Sequence, residues 1–154
     1  MSKAWWLLFL AVMLGVWNAG IVWFTQVAVY PLWLLVGPNG FRDFHLNWWH
    51  DISPACGPVI AMLAYSIVLL YMRPRGLPVW VLWTGLLLQI TVQILTALFW
   101  APLQAELPTT FGGISFAKYH ILMSTHGLRM GFFFAYATPV IWALPNFTVR
   151  RSEV

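Results

Sequence analysis

The sequence predicts an all-α fold: an integral membrane bundle of four transmembrane helices, in a single domain, with an amphipathic lead-in to the second helix. Of the 154 residues, 61% are hydrophobic and only 8% are charged, and the mean hydropathy is +0.77. Soluble domains carry roughly 25% charged residues, so this chain has too little polar surface to enclose a water-soluble core. The length accommodates four apolar stretches of about 20 residues, the number that crosses a bilayer as a helix.

The first predicted span covers residues 4–30, follows Lys3 and is ended by Pro31. Its apolar run is too long for the hydrophobic region of a signal peptide, and no clear small-residue cleavage site follows it. We therefore expect this span to be retained. The connector after it contains Gly-Pro-Asn-Gly at 37–40, which is a strong turn signal.

Residues 41–52 form the predicted lead-in to the second span, which covers 54–72. An apolar stripe recurs at helical spacing and consists of Phe41, Phe44, His45, Trp48, Trp49 and Ile52. The opposite side of this helix carries Asp43, Asn47, His50 and Asp51. Two readings of Ser53-Pro54 stay open: the pair restarts the helix as N-cap and first helical residue, or it kinks a continuous helix.

The third and fourth predicted spans cover residues 78–100 and 116–144. A turn at 73–76 precedes the third span, and Pro102 and Pro108 predict a longer loop before the fourth. Gln89, Gln93 and Thr96 lie on one stripe of the third span. The polar segment 150–154 is expected to be a short, mobile tail.

Basic residues predict the orientation in the membrane. With the N-terminus inside, five of them lie on the inner side: Lys3, Arg73, Arg75, Arg150 and Arg151. Only Arg42 and Lys118 lie on the outer side, so the positive-inside rule predicts that both termini are cytoplasmic. Because the net charge of +4 resides mostly at span ends, it does not indicate a nucleic-acid partner.

The fourth span carries the residues around which we expect the function. At 100° per residue, one helix face presents Tyr119, His126, Arg129 and Phe133, whereas His120 points elsewhere. A histidine and an arginine at membrane depth are costly unless they face a protein interior or a bound anion. No acidic residue lies within the spans to neutralise Arg129.

Under this topology the polar side chains collect in the outer half of the bundle, and we predict a pocket there for a lipophilic molecule with an acidic or carbonyl group. The candidate catalytic residues are His45, His126 and Arg129. The candidate ligand contacts are Gln26, Tyr30, Gln93 and Tyr119. Hydrogen bonding between helices is the alternative role for the buried amides.

Three functions could use these residues. In the first, neutral His45 or His126 is a general base and Arg129 stabilises the enolate that forms. In the second, a metal ion or haem iron is held between helices by some of His45, His50, His120 and His126. In the third, the chain is an aromatic-rich accessory subunit that packs against partner membrane proteins, pigments or lipids, or against a second copy. The sequence names no cofactor, and its lone Cys56 excludes an intrachain disulfide.

Several short motifs resemble a family of small four-helix membrane proteins that includes the anthrone-oxygenase-like proteins. The matching positions are Tyr30-Pro31, His45, His50, Gly57-Pro58, Trp100-x-Pro102-Leu103, and Thr125 with Arg129. The resemblance covers most of the chain and implies a four-helix bundle. It further implies oxygenation of a phenolic anthrone without an obvious cofactor. His126 departs from the family, in which Asn or another polar residue is expected.

Overall fold

The computed structural model describes residues 3–37, 39–109, 111 and 113–149, with side chains described through residue 136 and at residue 141. In this part of the chain four long helices form and no β-strand is present: α1 (Lys3–Trp33), α2 (Phe41–Met72), α3 (Val79–Ala105) and α4 (Phe116–Val149). The all-α prediction is therefore confirmed. The predicted tail at 150–154 lies outside the described residues.

The first three helices are long and apolar enough to cross a membrane. They contain 31, 32 and 27 residues, and each includes a strongly apolar window. A helix of 20 residues already spans about 30 Å, so all three have length to spare. Helix α4 has 34 residues, and its crossing of the membrane stays a prediction.

The helices pack as a closed ring in chain order. Each packs against its neighbour in sequence, and α1 also packs against α4. One buried cluster lies near the N-terminus and the turn at 73–78, and its members are all apolar: Leu8, Ala11, Val12, Leu69, Leu77, Val81 and Leu82. The larger cluster lies towards the loops at 34–40 and 106–115, which we call the loop end, and it contains most of the buried aromatic rings.

Tyr136 of α4 is the point at which all four helices meet. Its hydroxyl lies 3.3 Å from Ser66 Oγ of α2. Its ring occupies space left by two glycines: a Cβ added to Gly15 of α1 would lie 2.8 Å from Tyr136 Cδ1, and one added to Gly85 of α3 would lie 3.2 Å from Cε2. These glycines let an aromatic ring enter the centre of the bundle.

Prolines do not end α1 and α3, so the predicted ends at Pro31 and before Pro102 are wrong. In each helix a π-helical turn precedes the proline, at Thr25–Val29 and Thr96–Trp100, and the helix then continues to Trp33 or Ala105. A proline cannot donate to the carbonyl one turn earlier and clashes with it, and a π-turn relieves both problems. The hydroxyls of Thr25 and Thr96 support the turns by donating to carbonyls four residues back, at 2.8 and 2.7 Å.

The lead-in and the second span form one continuous helix. Pro54 lies inside it, and Ser53 donates to the Trp49 carbonyl at 2.6 Å, so Ser53 does not start a new helix. The irregularity falls at Gly57 instead. Because Pro58 has no N–H, the Pro54 carbonyl accepts from Gly57 N, three residues ahead, at 3.2 Å.

Backbone conformation and hydrogen bonds fix two of the connections between helices. The turn at 73–76 is completed by Gly76, whose φ of 90° is a conformation that glycine adopts readily. Between α3 and α4 the chain folds back on itself, with Ser115 N donating to the Leu107 carbonyl at 2.8 Å. Lys118 and Glu106 form an exposed ion pair at 2.7 Å beside it. This fold-back holds the end of α3 against the start of α4 at the loop end.

Candidate ligand-binding cavity

All four helices contribute side chains to a cavity of about 230 Å³ inside the bundle, towards the loop end. Its polar lining consists of Thr25, Tyr30, Gln93, Thr96, Gln104, His126 and Arg129. Three tryptophans, Trp48, Trp49 and Trp100, supply most of its aromatic wall. Apolar side chains of α1 and α2 complete it, so the cavity is a largely hydrophobic space with polar groups concentrated on α3 and α4.

Arg129 has no carboxylate partner in the described part of the chain. Its Nε is buried without a hydrogen-bond partner, and its guanidinium carbon lies 5.9 Å from the Trp100 ring centroid. Two acidic side chains of the described residues are engaged elsewhere, Asp51 with His50 and Glu106 with Lys118. The guanidinium therefore enters the cavity with an aromatic face beside it and no described anion.

His126 lies one helical turn before Arg129 and is also unpartnered. Its side chain is 1% exposed, and neither ring nitrogen has a hydrogen bond within the described protein. A neutral imidazole carries one donor and one acceptor, and leaving both unmade in a buried position costs free energy. The ring packs edge-on to Tyr30, with centroids 4.9 Å apart. Both of its nitrogens are thus left without a partner in the wall of the cavity.

Gln104 is a functional candidate that the sequence reasoning missed. Its Nε2 donates to the Tyr30 hydroxyl at 2.6 Å, and both side chains are buried. The prediction ended the third span at Trp100, which placed Gln104 in a loop. The signal that could have found it is shared by the two helices: Thr25 and Thr96 each stand six residues before a proline, at Pro31 and Pro102. The structure shows that this pattern marks a π-turn and a helix that continues.

The predicted ligand contacts divide into two groups. Tyr30 and Gln93 line the cavity, and their contact with a ligand stays a prediction. Gln26 does not line it; its Nε2 donates to the Met123 carbonyl at 3.2 Å and so links α1 to α4. Tyr119 is 5% exposed and belongs to the hydrophobic core rather than to the cavity wall.

His45 occupies a separate position, so the three predicted catalytic side chains do not share one cavity. It is 2% exposed and is enclosed by aromatic rings, with its own ring centroid 5.1 Å from Trp33 and 5.5 Å from Phe41. It lines a wider neighbouring groove of about 850 Å³. The ring of Trp33 packs against both His45 and Tyr30, which places His45 two aromatic layers from His126.

The histidines do not assemble into the metal site considered above. His50 is exposed and pairs with Asp51 at 3.3 Å, and His120 is exposed on α4. Among the residues that the structure describes, no three His, Cys, Asp or Glu side chains lie close enough to hold a metal ion. A site made from all four histidines is therefore not supported.

Comparisons with known protein families, with curated protein sequences and with solved structures give no match. The resemblance to anthrone-oxygenase-like proteins accordingly stays a prediction.

Proposed function

We propose that this protein binds a small lipophilic molecule with an acidic or carbonyl oxygen in the cavity beside Arg129 and His126. The proposal includes the arrangement in the membrane: α4 is the fourth transmembrane span, and both termini face the cytoplasm. One observation carries the proposal: a guanidinium lies in a cavity within the bundle, and no described carboxylate pairs with it.

A charged side chain at membrane depth costs free energy, and such residues occur where they face a cavity, a pathway or a ligand. A structural arginine would be expected to pair with an acidic side chain or with carbonyl oxygens. Arg129 has neither kind of hydrogen bond among the described residues, so an oxygen anion supplied by a ligand is its missing partner.

The lining of the cavity defines the rest of the ligand. Trp48, Trp49 and Trp100 offer flat apolar surfaces, which suit a ring system or a compact hydrocarbon. Ligand pockets for drug-sized molecules have volumes of about 300–1,000 Å³, so a cavity of about 230 Å³ holds one or two fused rings. A lipophilic aromatic carboxylate meets both requirements.

The direct test uses naphthalene-2-carboxylate and its neutral analogue naphthalene-2-methanol, with the protein reconstituted in lipid nanodiscs and titrated calorimetrically. We expect Arg129→Gln to weaken carboxylate binding by about 10- to 100-fold, because a hydrogen bond to a charged group contributes about 1.5–3 kcal/mol. Binding of the alcohol should change little. The matched control is Lys118→Gln, which removes an exposed, ion-paired cation outside the cavity.

Two outcomes contradict the proposal. One is equal carboxylate affinity in the wild type and Arg129→Gln; the other is no detectable binding of any lipophilic carboxylate to correctly inserted protein. Arg129→Ala provides a check on folding, because removal of an unpaired charge should leave membrane insertion intact or improve it.

Oxidation of the bound molecule is the extension suggested by the anthrone-oxygenase resemblance. His126 is suited to be the base, since both of its nitrogens are free of protein partners, and Arg129 is suited to stabilise the enolate. The measurement is oxygen uptake with anthrone in the wild type and His126→Phe. If no oxygen is taken up, or if uptake is unchanged in His126→Phe, oxidation through His126 is refuted and only the binding proposal stands. An absorption spectrum without a Soret band would end the haem alternative.

An accessory-subunit role is favoured by one separate observation. Gly127 and Gly131 form a Gly-x-x-x-Gly pair on the outside of α4, and a Cβ added to either would meet no atom within 4 Å. Such pairs let two membrane helices approach closely. If the role is correct, Gly131→Leu should abolish co-purification of a partner or a second copy, whereas a lone wild-type monomer would argue against it.

A further inference from the structure

The cavity and the groove are neighbouring spaces that share a boundary. Trp49 of α2 and Ala101 of α3 line both of them. The groove extends from this boundary towards the loop end, where Pro108 and Thr109 line it. Trp49 and Ala101 therefore stand between the two spaces, and a guest that extends out of the cavity towards the groove has to pass them.

Small side chains create the groove. On α3 its wall is formed by Ala97, Ala101 and Ala105, which recur at every fourth residue. The facing residues on α2 are larger and include Leu46 and Trp49. Larger side chains at these three positions would fill the groove. The alanines leave that volume open between α3 and α2.

The groove has its own unpartnered polar group. His45 is 2% exposed and lines the groove, and its Nε2 has no hydrogen-bond partner. Arg42, one turn earlier on α2, is exposed, lines the groove and forms no ion pair within the described residues. The groove thus repeats the chemistry of the cavity, in which a histidine and an arginine lie one turn apart without a carboxylate.

We infer that a single elongated ligand occupies both spaces, with one oxygen-bearing group at Arg129 and His126, an apolar body passing between Trp49 and Ala101, and a second oxygen-bearing group at His45 and Arg42. This inference rests on the proposed function and names its substrate class. The substrates are molecules with oxygen at both ends and an apolar middle, and Ala101 sets the width of the passage. Naphthalene-2-carboxylate, in contrast, uses the cavity alone.

The test compares unbranched monocarboxylates with α,ω-dicarboxylates of equal length, from six to sixteen carbons, on nanodisc-reconstituted protein. We expect the long dicarboxylates to bind about two- to tenfold more tightly than the monocarboxylates of the same length, which is the range of a single added hydrogen bond. Arg42→Gln should reduce this advantage, and because Arg42 is exposed the variant should fold. His45→Phe should remove the rest of the advantage.

The groove is tested by Ala105→Phe, because Ala105 lines the groove and not the cavity. We expect it to weaken long ligands at least tenfold while naphthalene-2-carboxylate keeps its affinity. The matched control is Leu98→Phe, which places the same ring on α3 at a side chain that is 75% exposed and lines neither space.

The outcomes separate this inference from the proposed function. If naphthalene-2-carboxylate binds through Arg129 but dicarboxylates show no advantage and Ala105→Phe does not discriminate by length, the elongated ligand is refuted and the cavity proposal stands. If no lipophilic carboxylate binds to correctly inserted protein, the proposed function is refuted and this inference falls with it.

Discussion

Replacing Gly15 by alanine should give a less stable bundle than replacing Gly20 on the same helix. A Cβ at Gly15 would lie 2.8 and 2.9 Å from Cδ1 and Cε1 of the Tyr136 ring, distances that real Cβ atoms do not tolerate. A Cβ at Gly20 would meet no atom within 4 Å. The two substitutions thus add the same methyl group to α1, one against a buried ring and one into open space.

The expected difference in stability between the two variants follows from the different surroundings of the added methyl group. Alanine gains about 1 kcal/mol over glycine in a helix interior at both sites, and this gain cancels in the comparison. Insertion of a methyl group into a packed core costs about 1–3 kcal/mol, and only Gly15→Ala incurs this cost. Gly15→Ala should therefore be less stable than Gly20→Ala by about 1–3 kcal/mol. At roughly 2–4 °C per kcal/mol, that is a separation of several degrees in the midpoint of thermal unfolding.

The assay is thermal unfolding of the purified variants in one detergent, followed by tryptophan fluorescence. A double-mutant cycle with Tyr136→Leu identifies the cause, because removal of the ring should abolish most of the penalty of Gly15→Ala. Equal midpoints for Gly15→Ala and Gly20→Ala would refute the placement of Tyr136 between the helices. An undiminished penalty in the Tyr136→Leu background would show that another contact is responsible.

Three further predictions concern polar side chains. Gln89→Leu should leave the midpoint unchanged or raise it, because both side-chain polar atoms of this fully buried residue lack partners, and an unsatisfied buried group costs about 1–3 kcal/mol; a clear fall in the unfolding midpoint would contradict this. Gln104→Leu should weaken naphthalene-2-carboxylate binding about two- to tenfold in calorimetry, since the Tyr30 hydroxyl loses its only described donor; unchanged affinity would separate this pair from the cavity's function. Lys118→Gln should change the free energy of unfolding by less than about 1 kcal/mol, since its ion pair with Glu106 is exposed, and a larger loss would be the contrary result.

Helical periodicity correctly predicted one face of α4. Tyr119, His126 and Phe133 are at most 5% exposed, whereas His120 is exposed. That face follows from a regular α-helix, in which each residue turns by 100°. The lead-in was predicted for the same reason: Phe41 and His45 are buried and the opposite side is exposed, although Phe44 of the predicted apolar stripe is exposed as well. Where the helix is regular, position in the sequence fixes position on the helix surface.

At the π-turns, regular α-helical periodicity gives the wrong face and the wrong helix end. Val22 and Tyr30 are eight residues apart, which corresponds to an angular offset of about 80° in a regular α-helix. One extra residue in the turn reduces the offset to about 20°, and both side chains are buried. The same shift applies to Val92 and Trp100 of α3. A proline pattern that reads as a helix end can thus mark a change of register within a continuing helix.

By itself the sequence determined that this chain is helical and apolar enough for a membrane, because composition and periodicity act locally along each helix. It also determined that a cation and imidazoles are present without acidic residues in the predicted spans. Only the tertiary structure decided which of them share a space: His126 and Arg129 line one cavity, whereas His45 lies in the adjoining groove. That division depends on two π-turns, on three alanines along α3 and on the packing of four helices around Tyr136. Each of these is a relation between helices or a shift of register, which the spacing of residues along one regular helix does not contain.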